Sequence, residues 1–108
     1  MGFDVRDMPT EAAAALPDRL REAGFDVGVL TGPHPQHPEV IVTRVVCRRG
    51  GDEQRLNWGP ASGKPGECRI GIANARGWRR SARERRGRLQ AEVTAVIEQA
   101  GGYWPFRI

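Results

Sequence analysis

The sequence predicts an α+β fold of order α-β-β-β-α-β, a small, mostly antiparallel sheet with two helices packed on one face. Three observations lead to this prediction. Apolar residues alternate at the period of a strand in three central runs. Helix-forming or helically periodic stretches flank those runs. The length of 108 residues and hydrophobic content of 39% suit a single core, so we predict one domain over 1–108.

The first helix is predicted over 11–23. Thr10 is the expected N-cap, and the alanines that follow Glu11 are strong helix formers. Pro17 lacks a backbone donor and predicts a break into two pieces, and Gly24 predicts the end of the helix.

The clearest strand is predicted over 39–48, because β-branched residues dominate it. A half-buried strand precedes it at 25–29. Both faces of the 39–48 strand are apolar, and two helices cover only one sheet face well, so we expect its second face to meet another sheet or another subunit. The residues expected at this oligomer interface are Val40, Val42, Arg44 and Val46.

The segment from Arg49 to Glu67 is polar and rich in glycine and proline, which predicts a long loop. Cys68, Ile70 and Ile72 then alternate with smaller or polar residues and predict a third strand. A last strand is predicted over 103–108, and residues 3–6 are compatible with a short additional one.

The second helix is predicted from an apolar stripe at helical spacing. The stripe contains Trp78, Ala82, Leu89, Val93, Val96, Ile97 and Ala100. Its pattern favours Trp78 as a core anchor, with base stacking as the alternative. Arg85 falls on the stripe and interrupts it, so we expect the first turns to overhang the domain.

Positive charge is concentrated at the start of this helix. Seven arginines and one acidic residue, Glu84, lie between Arg76 and Arg88, whereas the remaining ten basic and twelve acidic residues sum to −2. This face is either solvated or contacts phosphates or an acidic surface of a neighbouring subunit. The arginines predicted to make this contact are Arg76, Arg79, Arg80, Arg83 and Arg86.

Other residue types give weak signals for chemistry. His34 and His37 share a proline-rich loop without a nearby cluster of further ligands, and no serine sits in a nucleophile motif. We therefore expect no catalytic residue, no metal, no cofactor and no enzymatic activity. Cys47 and Cys68 are interpreted as buried reduced thiols, with a disulfide as the alternative.

The sequence contains no apolar run of about 18 residues and no basic, apolar start typical of a signal peptide. We expect a cytoplasmic protein that does not associate with membranes.

Residues 11–100 resemble the tail-terminator and tail-completion subunits of tailed phages. The string Pro38-Glu39-Val40-Ile41-Val42-Thr43 is similar to the strand after their proline-rich loop. The string Ile72-Ala73-Asn74-Ala75-Arg76-Gly77 is similar to their third strand running into the last helix. The resemblance implies a non-enzymatic homo-oligomeric ring, commonly of six subunits, located in the virion and contacting other tail or neck proteins.

A second resemblance is to the double-stranded RNA-binding domain. Gly32-Pro33-His34 is similar to its loop motif, and Arg79-Arg80-Ser81-Ala82-Arg83 is similar to the basic motif that opens its second helix. This resemblance implies a nucleic-acid-binding module that uses the arginine-rich helix.

Overall fold

A computed structural model describes residues 3–78 and 83–106 of the chain. The elements in chain order are β1 (Phe3–Pro9), α1 (Thr10–Ala14), α2 (Leu16–Glu22), β2 (Asp26–Pro33), β3 (Ile41–Arg49), β4 (Asp52–Pro60), β5 (Glu67–Ala73), β6 (Arg76–Gly77) and α3 (Arg83–Gln99). No helix of the described ranges is long and apolar enough to cross a membrane.

The strands form one antiparallel sheet in the order β1-β5-β4-β3-β2, and the short β6 pairs with the start of β4. This architecture confirms the predicted α+β class. The additional N-terminal strand extends to Pro9 and pairs with β5 along its whole length.

The core lies between one face of this sheet and the helices. Val45, Leu56 and Ile70 point to this face from three neighbouring strands, and Leu20 and Ile97 meet them from α2 and α3. Burial of each such side chain contributes about 1.5–3 kcal/mol relative to exposure. The buried hydrophobic cluster contains Met8, Ala13, Leu16, Leu20, Phe25, Val27, Val45, Cys47, Leu56, Trp58, Cys68, Ile70, Ile72, Leu89, Val93 and Ile97.

The first helical segment divides as predicted. α1 ends at Ala14 and α2 begins at Leu16, with Pro17 in the first turn of α2, where its missing N–H is not needed. Gly24 follows α2 with a φ of 98°, a left-handed conformation that glycine adopts without strain. The expected Thr10 cap is wrong, because Pro9 holds the N-cap position and no side chain caps the helix.

The predicted loop over 49–67 is wrong for most of its length. Residues 52–60 form β4, the strand that pairs with both β3 and β5. A tight turn at Gly50 and Gly51 connects it to β3, and Gly50 has a φ of 63°. Only residues 61–66 remain as a loop. Polar residues hold the inward positions at the start of β4, so the sequence shows little strand alternation there.

The predicted C-terminal strand over 103–108 is wrong within the described residues. Tyr103 forms a single antiparallel bridge with Asp7, with each backbone N–H donating to the other residue's carbonyl at 2.9 Å. Residues 104–106 form no strand, and 107–108 lie outside the described ranges. Pro105 has no N–H to donate to a sheet, which accounts for the end of pairing.

We predict that Ile97→Ala lowers the free energy of unfolding by about 2–5 kcal/mol, because it leaves a cavity beneath α3. Urea denaturation measures the change. The matched control is Gln99→Ala on the exposed side of the same helix, which we expect to stay within about 0.5 kcal/mol of the parent. Equal midpoints for the two variants would contradict the packing described.

Candidate interaction surfaces

A cleft of about 440 Å³ lies between the β3–β4 turn and α3. We call it the arginine cleft. It is lined by Arg49, Gly50, Gly51, Asp52, Arg85, Arg88 and Leu89. Arg49 reaches it from the end of β3, and Arg85 and Arg88 lie three residues apart on one side of α3. The cleft therefore brings together arginines from two distant parts of the sequence.

Asp52 is the acidic residue at the base of the cleft, and it is only 5% exposed. The Arg85 Nε donates to Asp52 Oδ2 at 3.0 Å. This hydrogen bond raises the pKa of Arg85. The other carboxylate oxygen, Oδ1, has no hydrogen-bond partner among the described residues. Arg85 thus has a structural task, since an unpaired buried carboxylate would be costly.

The other two arginines of the cleft, Arg49 and Arg88, differ in whether they already have partners within the described chain. Arg49 pairs with Glu92 of α3 and stacks over the Phe25 ring, with its guanidinium carbon 4.7 Å from the ring centroid. Arg88 is exposed and makes no ion pair within the ranges that the structure describes. Arg88 is therefore the cleft arginine best placed to receive an external anion.

The arginines predicted to contact a partner are distributed unevenly. Arg76 and Arg83 are exposed, at β6 and at the start of α3, and Arg86 is half-buried. Arg79 and Arg80 lie outside the described residues. Sequence reasoning missed Arg49 and Arg88. The pair Arg48-Arg49 before Gly50-Gly51 is a hairpin signal that could have identified the first of these.

Trp78 is 67% exposed, so its predicted role as a core anchor is wrong. The helical stripe does not extend back to this residue, because the preceding residues Arg76 and Gly77 form β6 instead. The Trp78 backbone N–H donates to the Gly51 carbonyl at 2.9 Å. This bond fixes the backbone of an exposed indole beside the turn that lines the arginine cleft.

A second candidate surface lies along β2, which forms one edge of the sheet among the described strands. We call Val29, Leu30 and Ile41 the edge patch; they are 44%, 68% and 54% exposed. Val29 and Ile41 lie on the helix-bearing face of the sheet, and Leu30 lies on the other face. Residues 27–32 carry no charge. An exposed, uncharged edge strand readily pairs with another chain, and monomeric proteins normally protect such edges.

A groove of about 730 Å³ adjoins the edge patch on the helix-bearing side of the sheet. Val29, Ile41 and Trp58 line its sheet side, and Ala14 and Pro17 line its helix side. Most of its lining is apolar, which favours an apolar occupant.

The predicted interface residues lie next to this edge. Val42 and Val46 are half-buried and Arg44 is exposed, on β3, and Val40 is half-buried just before that strand. Leu30 of the edge patch stands directly opposite Arg44 in the β2–β3 register. Their role in an interface stays a prediction.

At the opposite edge of the sheet lies an exposed aromatic segment, residues 103–106. We call Tyr103, Trp104 and Phe106 the aromatic tail. Trp104 and Phe106 are each about half exposed and stack edge to face, with centroids 5.2 Å apart. Arg6 lies over the Trp104 ring, and Arg69 lies over the Phe106 ring.

An ion-pair network centred on the buried Asp7 holds this tail against the sheet. Asp7 is fully buried, and its carboxylate accepts from Lys64 Nζ at 2.7 Å and from Arg69 Nε at 2.8 Å. The hydrogen bond from Arg69 is the main cause of the lowered pKa of Asp7, and Lys64 adds to it. The Tyr103 hydroxyl donates to Glu67 beside the same network.

The imidazole of His34 and the thiols of Cys47 and Cys68 lie in surroundings that indicate a role in the fold. The backbone N–H groups of Gln36 and His37 donate to His34 Nδ1 at 3.0 and 3.2 Å, so this nitrogen orders the turn. Cys47 and Cys68 are both buried, as expected, and neither forms a disulfide in the described part of the chain. Burial raises the pKa of the Cys47 thiol to about 12.

Comparison of the chain with protein-family models, curated proteins and solved structures found no match.

We predict that Asp7→Asn lowers the free energy of unfolding at neutral pH by about 1–3 kcal/mol, because Lys64 and Arg69 lose the negative charge that they pair with and the new amide NH2 group cannot accept their hydrogen bonds. Because the folded-state pKa of Asp7 is lowered, its contribution is present above the ordinary carboxyl range and disappears as pH falls through the folded-state pKa. The difference in free energy of unfolding between the parent and the variant should therefore become smaller under acid conditions.

Urea titrations at several pH values measure this difference. Asp4→Asn on the same strand is the matched control, since Asp4 pairs with Arg6 nearer the surface and should matter less. A gap between parent and Asp7→Asn that does not depend on pH would refute the role assigned to this carboxylate.

Proposed function

We propose that this protein is a non-enzymatic structural subunit that self-associates head to tail. The observation that carries the proposal is the presence of two different apolar patches at opposite edges of one sheet. The edge patch lies at β2, and the aromatic tail lies beside β1. Each patch is too exposed to contribute fully to the core of its own chain, and each is available to a second copy.

The edge patch and its groove form the receiving side of the contact. Its strand offers unpaired backbone groups, and its groove offers apolar walls from Val29, Ile41 and Trp58. The volume of about 730 Å³ lies in the usual range for pockets that bind small molecules, about 300–1,000 Å³, so it is large enough for two aromatic side chains. Trp104 and Phe106 of a neighbouring copy are the occupants to which we assign this groove.

The aromatic tail is the inserted side of the contact. Its backbone is held by the two hydrogen bonds between Tyr103 and Asp7, and the buried Asp7 network supports that bridge. Because the segment is ordered before it binds, association costs less conformational entropy. Aromatic side chains are also enriched among the residues that dominate interface energies.

Two unlike patches produce a heterologous contact, which propagates from copy to copy until a ring closes. A ring-forming subunit of the phage tail-terminator or neck type, capping a tail tube and contacting other virion proteins, is the assembly to which we assign the chain. The sequence strings around Val40 and Ala73 support this assignment. Val42, Arg44 and Val46 lie on the sheet face opposite the groove, beside Leu30, and with Val40 they would extend the contact around the edge.

We predict that the parent protein forms a discrete oligomer and that two complementary variants separate its interfaces. The edge variant is Leu30→Asp with Ile41→Asp, and the tail variant is Trp104→Ala with Phe106→Ala. Each variant alone should be monomeric, because each lacks one side of every contact. An equimolar mixture should form a dimer and nothing larger, since one intact contact remains. Light scattering after size exclusion measures the masses.

The four substituted side chains are exposed, so the variants should fold, and circular dichroism checks this point. A tail variant that still dimerises alone would indicate a two-fold contact through β2 and contradict the head-to-tail arrangement. A monomeric parent at high concentration would overturn self-association altogether.

A further inference from the structure

The arginine cleft and Trp78 together form a surface that the proposed self-association contact does not use. We call it the arginine–tryptophan surface. It lies at the β3–β4 turn, whereas Ile41 of the edge patch begins β3 at its other end. Eight residue steps along the strand separate Ile41 from Arg49 by about 26 Å, and Val29, which stands opposite Val45, lies about 13 Å from Arg49 along the strand direction. Both surfaces can therefore act on the same molecule at the same time.

The turn region carries excess positive charge on both sides of the sheet. Glu53, on the face away from α3, is buried and pairs with Arg48 and Arg55. Arg76 stands opposite Glu53 in the β4–β6 register. Together with Arg83 and the three arginines of the cleft, this region of the described chain contains seven arginines. It contains four acidic residues, which are Asp52, Glu53, Glu84 and Glu92. The sequence adds Arg79 and Arg80 next to Trp78.

Three of these four acids are committed to partners, whereas the fourth, Glu84, is exposed in the first turn of α3 and forms no ion pair in the described part of the chain. Asp52 accepts from Arg85, Glu53 is paired twice, and Glu92 pairs with Arg49. Arg76, Arg83 and Arg88 remain exposed without an ion pair in the described part of the chain. Guanidinium groups in this state are suited to bind phosphate oxygens through paired hydrogen bonds.

Trp78 adds an exposed aromatic face beside these cations. Aromatic side chains next to a basic groove are the usual means by which proteins hold single-stranded nucleic acid, because every base can stack on them. An acidic protein surface would be recognised by the arginines alone and would not account for the exposed indole.

We propose that this arginine–tryptophan surface binds single-stranded nucleic acid, with a phosphate on Arg88 and a base stacked on Trp78. Single strands are favoured over a duplex because paired bases do not present their faces to an indole. In addition, the segment Gly32–His34, which resembles a duplex-RNA-binding loop, begins at the far end of the β2–β3 pair from the cleft.

Fluorescence anisotropy with a labelled oligothymidylate tests the proposal on the full chain. We expect Trp78→Ala to weaken binding by about 5- to 100-fold, which is the range for loss of one stacked base. Trp78→Phe should retain most of the affinity, since phenylalanine also stacks. Arg88→Ala should weaken binding and reduce the slope of log affinity against log salt by about 0.7, the value for one phosphate contact on a single strand.

Arg19→Ala, which removes an exposed arginine on α2 outside this surface, is the matched charge control and should change affinity little. Failure of Trp78→Ala to weaken binding more than Trp78→Phe would overturn the stacking role. Tighter binding to a duplex of equal length would overturn the preference for single strands. Binding to polyglutamate as tight as to the oligonucleotide would instead identify an acidic protein as the partner. None of these outcomes depends on the oligomeric state.

Discussion

The constraint on which the structure depends is the burial of polar groups in β4, the strand that lies between β3 and β5 at the centre of the sheet. Asp52, Glu53 and Gln54 are consecutive and buried, and burying such groups is costly unless each finds a partner. Arg85 of α3 meets Asp52, Arg55 meets Glu53, and the Gln54 amide donates to the Ala73 carbonyl. The arginine-rich helix is therefore coupled to the centre of the sheet by electrostatics as well as by its apolar stripe.

This coupling separates two tasks within one charged helix. Arg85 is exposed but pairs with the buried carboxylate of Asp52, whereas Arg88, one helical turn further along α3, is exposed and has no ion pair in the described part of the chain. A similar division holds at the other end of the molecule. Lys64 and Arg69 neutralise buried Asp7, and the aromatic rings of the tail lie over cations, with Phe106 over Arg69 itself. In both places a buried acid fixes the arrangement, and the exposed side chains next to it form the candidate binding surface.

Several elements could be predicted from the sequence because their inward positions are apolar. β5 alternates cleanly, β3 is rich in β-branched residues, Leu89, Val93 and Ile97 recur at helical spacing, and Pro17 divides the first helical segment. β4 could not be predicted in this way, because Asp52 and Gln54 occupy positions where an apolar residue is expected. Trp78 was misplaced for a different reason, since helical periodicity was extended back to a residue that directly follows the short strand β6. Arg49 was missed because the other arginines of the cleft, Arg85 and Arg88, belong to α3, which is distant in sequence.

The sequence by itself determined the α+β class, the antiparallel strands with apolar alternation, and the concentration of positive charge before Leu89. These features depend on local periodicity and composition, which a single chain segment carries within itself. The tertiary structure alone decided which charges are neutralised, which aromatic rings stay exposed, and which sheet edge is open. Those properties depend on pairings between distant residues, such as Asp52 with Arg85 and Asp7 with Tyr103, and no local pattern encodes them.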